Sequence, residues 1–275
     1  WTELNAFKRV LGAANLYLAG RVGHFSRVVQ EALVEAVLET RPDLLMCTGD
    51  LTAMSTESEW AAAKKLLRPM FEAQPGVLIP GNHDAYVPGA IKKATAAWQP
   101  YMSGDGNTQL QETPDAVFPY VRIRGEIAIV GVSTARASGP WFATGRVGRR
   151  QARQLRDLLS SLGDKGLFRV VMIHHPPFKN ATHWHKRLSD ASRVRAVLKQ
   201  AGAELVLHGH THVNTRSSVE GPAGPIPVIG VSSATNAPGG KKPAARYNLF
   251  SISKVDSGWQ CQMTERGFEE SDEPI

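Results

Sequence analysis

Phe168-Arg169-Val170-Val171-Met172-Ile173-His174-His175 and, after a helical stretch over 189–201, Glu204-Leu205-Val206-Leu207-His208-Gly209-His210-Thr211-His212 decide how this chain folds. Each is a short apolar run that ends in ligand-type side chains. Two such runs flanking a helix form the pattern of a βαβ unit. Two earlier runs have the same form. Leu44-Leu45-Met46-Cys47 leads into Thr48-Gly49-Asp50, and Val77-Leu78-Ile79 leads into Pro80-Gly81-Asn82-His83-Asp84. A parallel sheet gathers its ligands at the carboxyl ends of its strands. Asp50, Asn82, His174, His210 and His212 are therefore expected to meet at one site.

Outward from these runs, the spacing predicts helices over 2–18 (Leu4, Phe7, Leu11, Ala14, Leu18), 26–40 (Val29, Leu33, Val37) and 148–162 (Leu155, Leu158, Leu159, Leu162). Thr56 with Glu59 is a capping box that opens a further helix through Trp60 and Leu66-Leu67. Residues 85–117 are rich in Gly, Pro and small polar residues and read mostly as loop. Strands over about 118–124 and 126–133 meet at Arg124-Gly125 as a hairpin. Beyond His212 the helices stop, and Val213–Val219, Pro227–Ser232, Tyr247–Val255 and Gly258–Thr264 read as strands. Both halves supply ligands, so 1–275 reads as a single domain with two stacked sheets.

A hydrophobic fraction of 42% and a charged fraction of 21% are those of a soluble protein with a full core. No run approaches the roughly 18 apolar residues needed to cross a bilayer. The formal charge of +7 suits an anionic substrate, a nucleic acid or an acidic lipid surface without choosing among them. Arg149, Arg150, Arg153 and Arg156 lie opposite a leucine face and lack interleaved aromatics, which argues against a specific nucleic-acid groove. Cys47 and Cys261 form no disulfide framework, so a reducing, cytoplasmic setting is expected. The apolar stripe of 1–22, with Lys8, Arg9 and Arg21, has the form of an interfacial helix. Packing on its own core or on a partner subunit is the commoner use of such a stripe; a lid or a peripheral membrane contact is the alternative.

Asp, Asn and His side chains suit manganese above all, with iron, zinc or cobalt as alternatives, better than a thiolate site would. Gly49-Asp50, Gly81-Asn82-His83-Asp84, His174 at a strand end, and Gly209-His210-Thr211-His212 together resemble the second to fifth motifs of the calcineurin-like metallophosphoesterases, in that family's order. The resemblance implies a four-layer α/β/β/α sandwich in which two stacked mixed sheets are flanked by helices. It implies two divalent ions, with Asp50 bridging them, Asn82, His174 and His210 completing one site, and His212 belonging to the other. His83 would face the scissile phosphate and serve the leaving oxygen, with Asp84 orienting His83 or capping the turn. His175 would contact substrate phosphate or play a structural part; His208 falls outside the ligand pattern.

The reaction implied is hydrolysis of a phosphate ester by direct attack of metal-bound hydroxide. The aspartate that follows Gly-Asp in the Ser/Thr protein phosphatases is absent after Gly49-Asp50, where Leu51-Thr52-Ala53-Met54 stands instead. His174-His175-Pro176-Pro177 resembles the phosphodiesterase branch, so a small phosphodiester is the expected substrate. The first family motif, Asp-x-His, has no counterpart before Asp50, and the strand that should carry it is missing. With a start at Trp1, this points to an upstream segment outside the sequence. Two other readings remain at this stage: a hydrolase of a lipid-linked phosphate or pyrophosphate at a membrane surface, and a non-catalytic scaffold with an incomplete metal site.

Overall fold

The βαβ unit over 168–208 forms the centre of the molecule. The computed structural model describes residues 6–12, 14, 26–106, 117–256 and 258–268. Helices are α1 (6–12), α2 (Arg27–Glu39), α3 (Glu57–Ala73), α4 (Ala90–Ala97), α5 (Arg149–Asp164) and α6 (Ala191–Ala201). Strands are β1 (Leu45–Cys47), β2 (Gly76–Leu78), β3 (Tyr120–Arg124), β4 (Ile127–Val132), β5 (Phe168–Ile173), β6 (Leu205–His208), β7 (Thr215–Gly221), β8 (Gly224–Gly230), β9 (Arg246–Val255) and β10 (Gly258–Gly267). Leu4, Leu18 and Arg21 lie outside the described residues.

Six strands form a mixed sheet in the order β3-β4-β5-β6-β8-β7. The pairs β4/β5, β5/β6 and β6/β8 are parallel, and hairpins β3/β4 and β7/β8 close the two edges antiparallel. Every residue of β5 is buried, as expected for a strand covered on both faces. On one face Val171, Ile173, Val206 and Val228 meet Leu155, Leu159 and Leu162 of α5 and Val194 and Leu198 of α6. On the other, Phe168, Val170, Leu205 and Leu207 meet Met46 of β1, Phe250 and Ile252 of β9 and Trp259 of β10.

The second strand layer is therefore β1/β2, a parallel pair, beside β9/β10, an antiparallel pair. Outside it, α3 and the 98–102 turn cover β2 through Leu67, Phe71, Trp98 and Met102. Helix α2 covers the segment around Ala245 and Phe268 through Val29 and Leu33. The order is helix, sheet, strand pairs, helix. The expected four-layer sandwich is present, with its second layer divided into two pairs.

The caps read from sequence are in place. Thr56 and Glu59 form the reciprocal capping box of α3, and Ser26 accepts from Val29 N–H at the start of α2. One element differs: α4 lies inside 85–117, which reads as loop. Its Ala-rich octet is a good helix former and aligns Ala90, Ala94 and Trp98 on one buried face. The flanking Pro88-Gly89 and Pro100 obscure that signal. The Arg169 guanidinium at the head of β5 joins that strand to α5, α6 and the turn before β6: it donates to Leu159 O, Ala201 O and both oxygens of Glu204. Among the described residues no helix is long and apolar enough to cross a membrane.

Leu155 is fully buried on α5 against the large sheet. Leu155→Ala is expected to lower unfolding free energy by about 2–5 kcal/mol in urea titration, with divalent-metal stoichiometry unchanged because the helix lies on the face away from the ligands.

Candidate metal centre

Four of the five strand-end ligands converge. Ligating atoms of Asp50, His174 and His210 lie within 4.8 Å of one another. His174 Nε2 stands 3.2 Å from Asp50 Oδ2 and 3.2 Å from Asn82 Oδ1, and His210 Nδ1 stands 2.8 Å from Asn82 Oδ1. Atoms bound about 2.1 Å from one ion at right angles lie about 3 Å apart, so these spacings are those of a coordination shell.

The chemistry of the donors agrees. His174 Nδ1–H donates to Thr48 O at 2.7 Å, and His210 Nε2–H donates to Lys186 O at 2.7 Å. Backbone carbonyls thus fix both rings and direct His174 Nε2 and His210 Nδ1 at the acceptor oxygens of Asp50 and Asn82. Such a gathering of acceptors requires a positive charge at its middle, either a proton or a metal ion.

The titration of the site reflects that requirement. Burial alone would raise the Asp50 pKa, but His174, His83 and His210 outweigh it and hold the carboxyl well below its usual value. Burial disfavours charge on His174, yet Asp50 overcomes it and raises the imidazole's pKa. Burial, aided by His174, lowers His210 to about 3, leaving it neutral at physiological pH. Burial likewise lowers His212 to about 4. A neutral imidazole is the metal-binding form. The residues present fit a divalent ion.

Local backbone explains how strand ends reach this geometry. Asp50, His210 and His212 all sit at positive φ, of 62°, 68° and 55°. This region is costly for non-glycine residues and concentrates at functional sites. Gly81 is required by close approach: a Cβ there would stand 2.0 Å from Asp50 Oδ1 and 2.5 Å from Asp50 N.

Asp84 holds these turns together. Its buried carboxylate accepts from Gly81 N, Asp50 N, Leu51 N, Thr52 N and Thr52 Oγ1 at 2.9–3.3 Å. Burial, then the neighbouring Asp50, raises its pKa to about 6 against the pull of the Gly81, Leu51 and Thr52 bonds. His83 is oriented by a different group. Its Nδ1–H donates to Ala53 O at 2.6 Å, its backbone N–H donates to Asp50 Oδ1 at 2.8 Å, and its ring stacks on Tyr86. Of the two parts that sequence allows Asp84, its bonds are those of the turn cap.

His175 follows His174 at the end of β5. It is fully buried, its Nε2–H donates to Ala143 O at 3.0 Å, and its Nδ1 accepts from Thr134 Oγ1 at 2.7 Å. Both nitrogens are bonded within the fold, to a loop carbonyl and to a hydroxyl group. His208 is buried between Gly209 O and Thr215 Oγ1, outside the ligand set.

A cavity of about 770 Å³ opens over Asp50, Asn82, His83, His210 and His212. His212 thus faces the site from beyond the three-residue cluster. Further walls come from Tyr86, from Trp141 and Phe142, from His185 and Lys186, and from Lys241 and Lys242. Helix α1 also borders the cavity. Lys8 Nζ donates to Tyr86 O and, at 2.8 Å, to Ser138 O, and Arg9 donates to Met54 O and Ser55 O. Burial lowers Lys8 to about pKa 8. Thr48, Ala53 and Lys186 act through main-chain carbonyls, which carry no signature in sequence.

Residues 22–214 match the calcineurin-like phosphoesterase family. A probable cyclic nucleotide phosphodiesterase from Rhodococcus erythropolis (strain PR4 / NBRC 100887) is 28% identical over 198 residues, which covers 70% of this chain and 58% of that relative. The match thus spans little more than half of the relative's length. The fold is similar to that of a dimetal phosphatase from Danio rerio, with a TM-score of 0.55 and 13% identity over 76% of this chain and 78% of the other.

Asp84→Asn would keep one acceptor oxygen and turn an NH2 group toward backbone donors. It is expected to cost about 1–3 kcal/mol in urea unfolding and to weaken Mn(II) binding measured by calorimetry, because the Asp50 turn loosens. Unchanged stability and metal affinity with slower turnover would instead assign Asp84 to catalysis.

Proposed function

The chain belongs to the calcineurin-like phosphoesterase family, and from that membership we propose that it hydrolyses a small phosphodiester with two divalent ions, manganese in preference to iron, zinc or cobalt. The observation that supports this most is the shared cavity: Asp50, Asn82 and His210 of the donor set border the same space as His83, with His174 buried directly behind them. The Rhodococcus relative, described as a probable cyclic nucleotide phosphodiesterase, favours a diester over a monoester. A second ion would draw on Asp50 and His212 from this chain. Bound ions would supply Lewis-acid charge for the phosphoryl oxygens and a nucleophile at neutral pH.

The chain's own residues then have distinct tasks. Asp50 and Asn82 set the electrostatic centre, and the carbonyls of Thr48 and Lys186 keep His174 and His210 in one tautomer. His83, with Nδ1–H tied to Ala53 O, keeps Nε2 for the substrate. We assign it the proton that the departing alkoxide takes up. Hydroxide, formed from water with its proton released to solvent, attacks phosphorus in line with that departing oxygen. The P–O bond to the alcohol breaks, the alkoxide takes the Nε2 proton of the His83 imidazolium, the ring regains a proton from solvent, and no phosphoryl-enzyme forms. Lys186, Lys241 and Lys242 on the cavity wall attract the anionic diester. A non-catalytic scaffold would have no use for a histidine oriented in this way beside the donor set.

After Mn(II) loading, turnover of bis(p-nitrophenyl) phosphate is expected to exceed that of p-nitrophenyl phosphate. Preference for the monoester would contradict the diester assignment. His83→Ala should lower kcat on the diester by about 100-fold or more while elemental analysis finds the same metal content. Metal loss in that variant would place His83 among the ligands instead.

A further inference from the structure

The mouth of the cavity carries apolar side chains that none of the described residues covers. Trp141 is 83% exposed and Trp184 65%, with Phe142 in edge-to-face contact with Trp184 at 5.4 Å between ring centroids. Phe7 and Val10 of α1 are also exposed, and the Lys8–Ser138 bond ties that helix to the loop bearing Trp141 and Phe142. Soluble proteins rarely group exposed aromatics without a use.

Two further observations mark this rim. Trp141 sits at φ 64°, a left-handed backbone that is an outlier for a bulky side chain, and it gains no burial in exchange. Strain of this kind persists where a conformation is used. The rim is also basic: Lys186, Arg187, Lys241 and Lys242 are exposed, three of them on the cavity wall, in a chain of formal charge +7. Tryptophan beside lysine and arginine is the composition of a surface that enters the headgroup layer of an anionic bilayer.

We propose that Trp141, Phe142 and Trp184, flanked by Lys241, Lys242 and Arg187, form an interfacial surface that seats the mouth of the metal centre on an anionic lipid bilayer, so that the site receives phosphate esters carried by lipids. This rests on the phosphoesterase reading of the site for its substrate, but the docking itself is measured without any turnover. The surface differs from the 1–22 stripe in sequence: its aromatic anchors come from the loops after β4 and β5, and α1 contributes only Phe7 and Val10. Rings of both loops would enter the headgroup layer while the lysines meet lipid phosphates. A dry apolar rim would also exclude bulk water from the entrance once docked.

The test is co-sedimentation of the full chain with vesicles of phosphatidylcholine containing phosphatidylserine, beside pure phosphatidylcholine vesicles. Binding is expected with the anionic vesicles, with loss in high salt. The double variant Trp141→Ser/Trp184→Ser is expected to partition about tenfold more weakly, and Lys241→Ala/Lys242→Ala to lose the preference for anionic lipid. Circular dichroism of each variant checks that it folds. Equal partitioning of the double aromatic variant would overturn the proposal. So would absence of wild-type binding, or a concentration-dependent dimer abolished by the same variant, which would make the rim a protein interface. Failure here with intact hydrolysis of bis(p-nitrophenyl) phosphate would leave the phosphodiesterase reading standing.

Discussion

A buried carboxylate that cannot stay alone organises this molecule. Asp50 is largely withdrawn from water at the floor of the cavity together with the Asn82 carbonyl and two imidazoles, and their acceptor atoms converge to about hydrogen-bond distance. Isolated, such a charge would be very costly in a protein interior. In the absence of metal, the His174 imidazole faces it, its pKa raised by Asp50 against the effect of burial. A divalent ion answers it with a double positive charge. The neutral state of His210 and His212 leaves their lone pairs available for that purpose.

The fold keeps this centre in place because its ligands leave from strands that cannot move. β5 is buried along its whole length, and the large sheet is packed on one face by α5 and α6 and on the other by β1 and β9/β10. At the strand ends the chain turns through left-handed residues at Asp50, His210 and His212, and Asp84 binds the Asp50 and Gly81 turns to each other. Rigid strands supply position, and strained turns supply direction. Selectivity is left to loops that carry Tyr86, Trp141, His185 and Lys241 to the cavity wall.

Sequence showed the framework well because it is written in side chains. Apolar runs placed the strands, the leucine spacing of 155–162 placed α5, and the strand-end polar residues placed Asp50, Asn82, His210 and His212 around one cavity with His174 buried against Asp50 and Asn82. What escaped it is of two kinds. Main-chain partners such as Thr48 O, Ala53 O and Lys186 O leave no trace in residue identity. Neighbours in space but not in sequence decided the rest: His175 beside His174 turns its nitrogens to Thr134 and Ala143, and Asp84 beside His83 turns its carboxylate to another loop. A one-residue step along a turn was enough to send neighbouring side chains to different partners. Helix α4 was hidden for a local reason, the Pro and Gly at its ends.

Diffraction from crystals soaked in Mn(II), recorded at the manganese absorption edge, tests the central claim most directly. An anomalous peak about 2.0–2.3 Å from Asp50, Asn82 Oδ1, His174 Nε2 and His210 Nδ1 is predicted, with His83 outside the coordination shell. A peak elsewhere, or none while Asp50 and His174 remain bonded to each other, would contradict it.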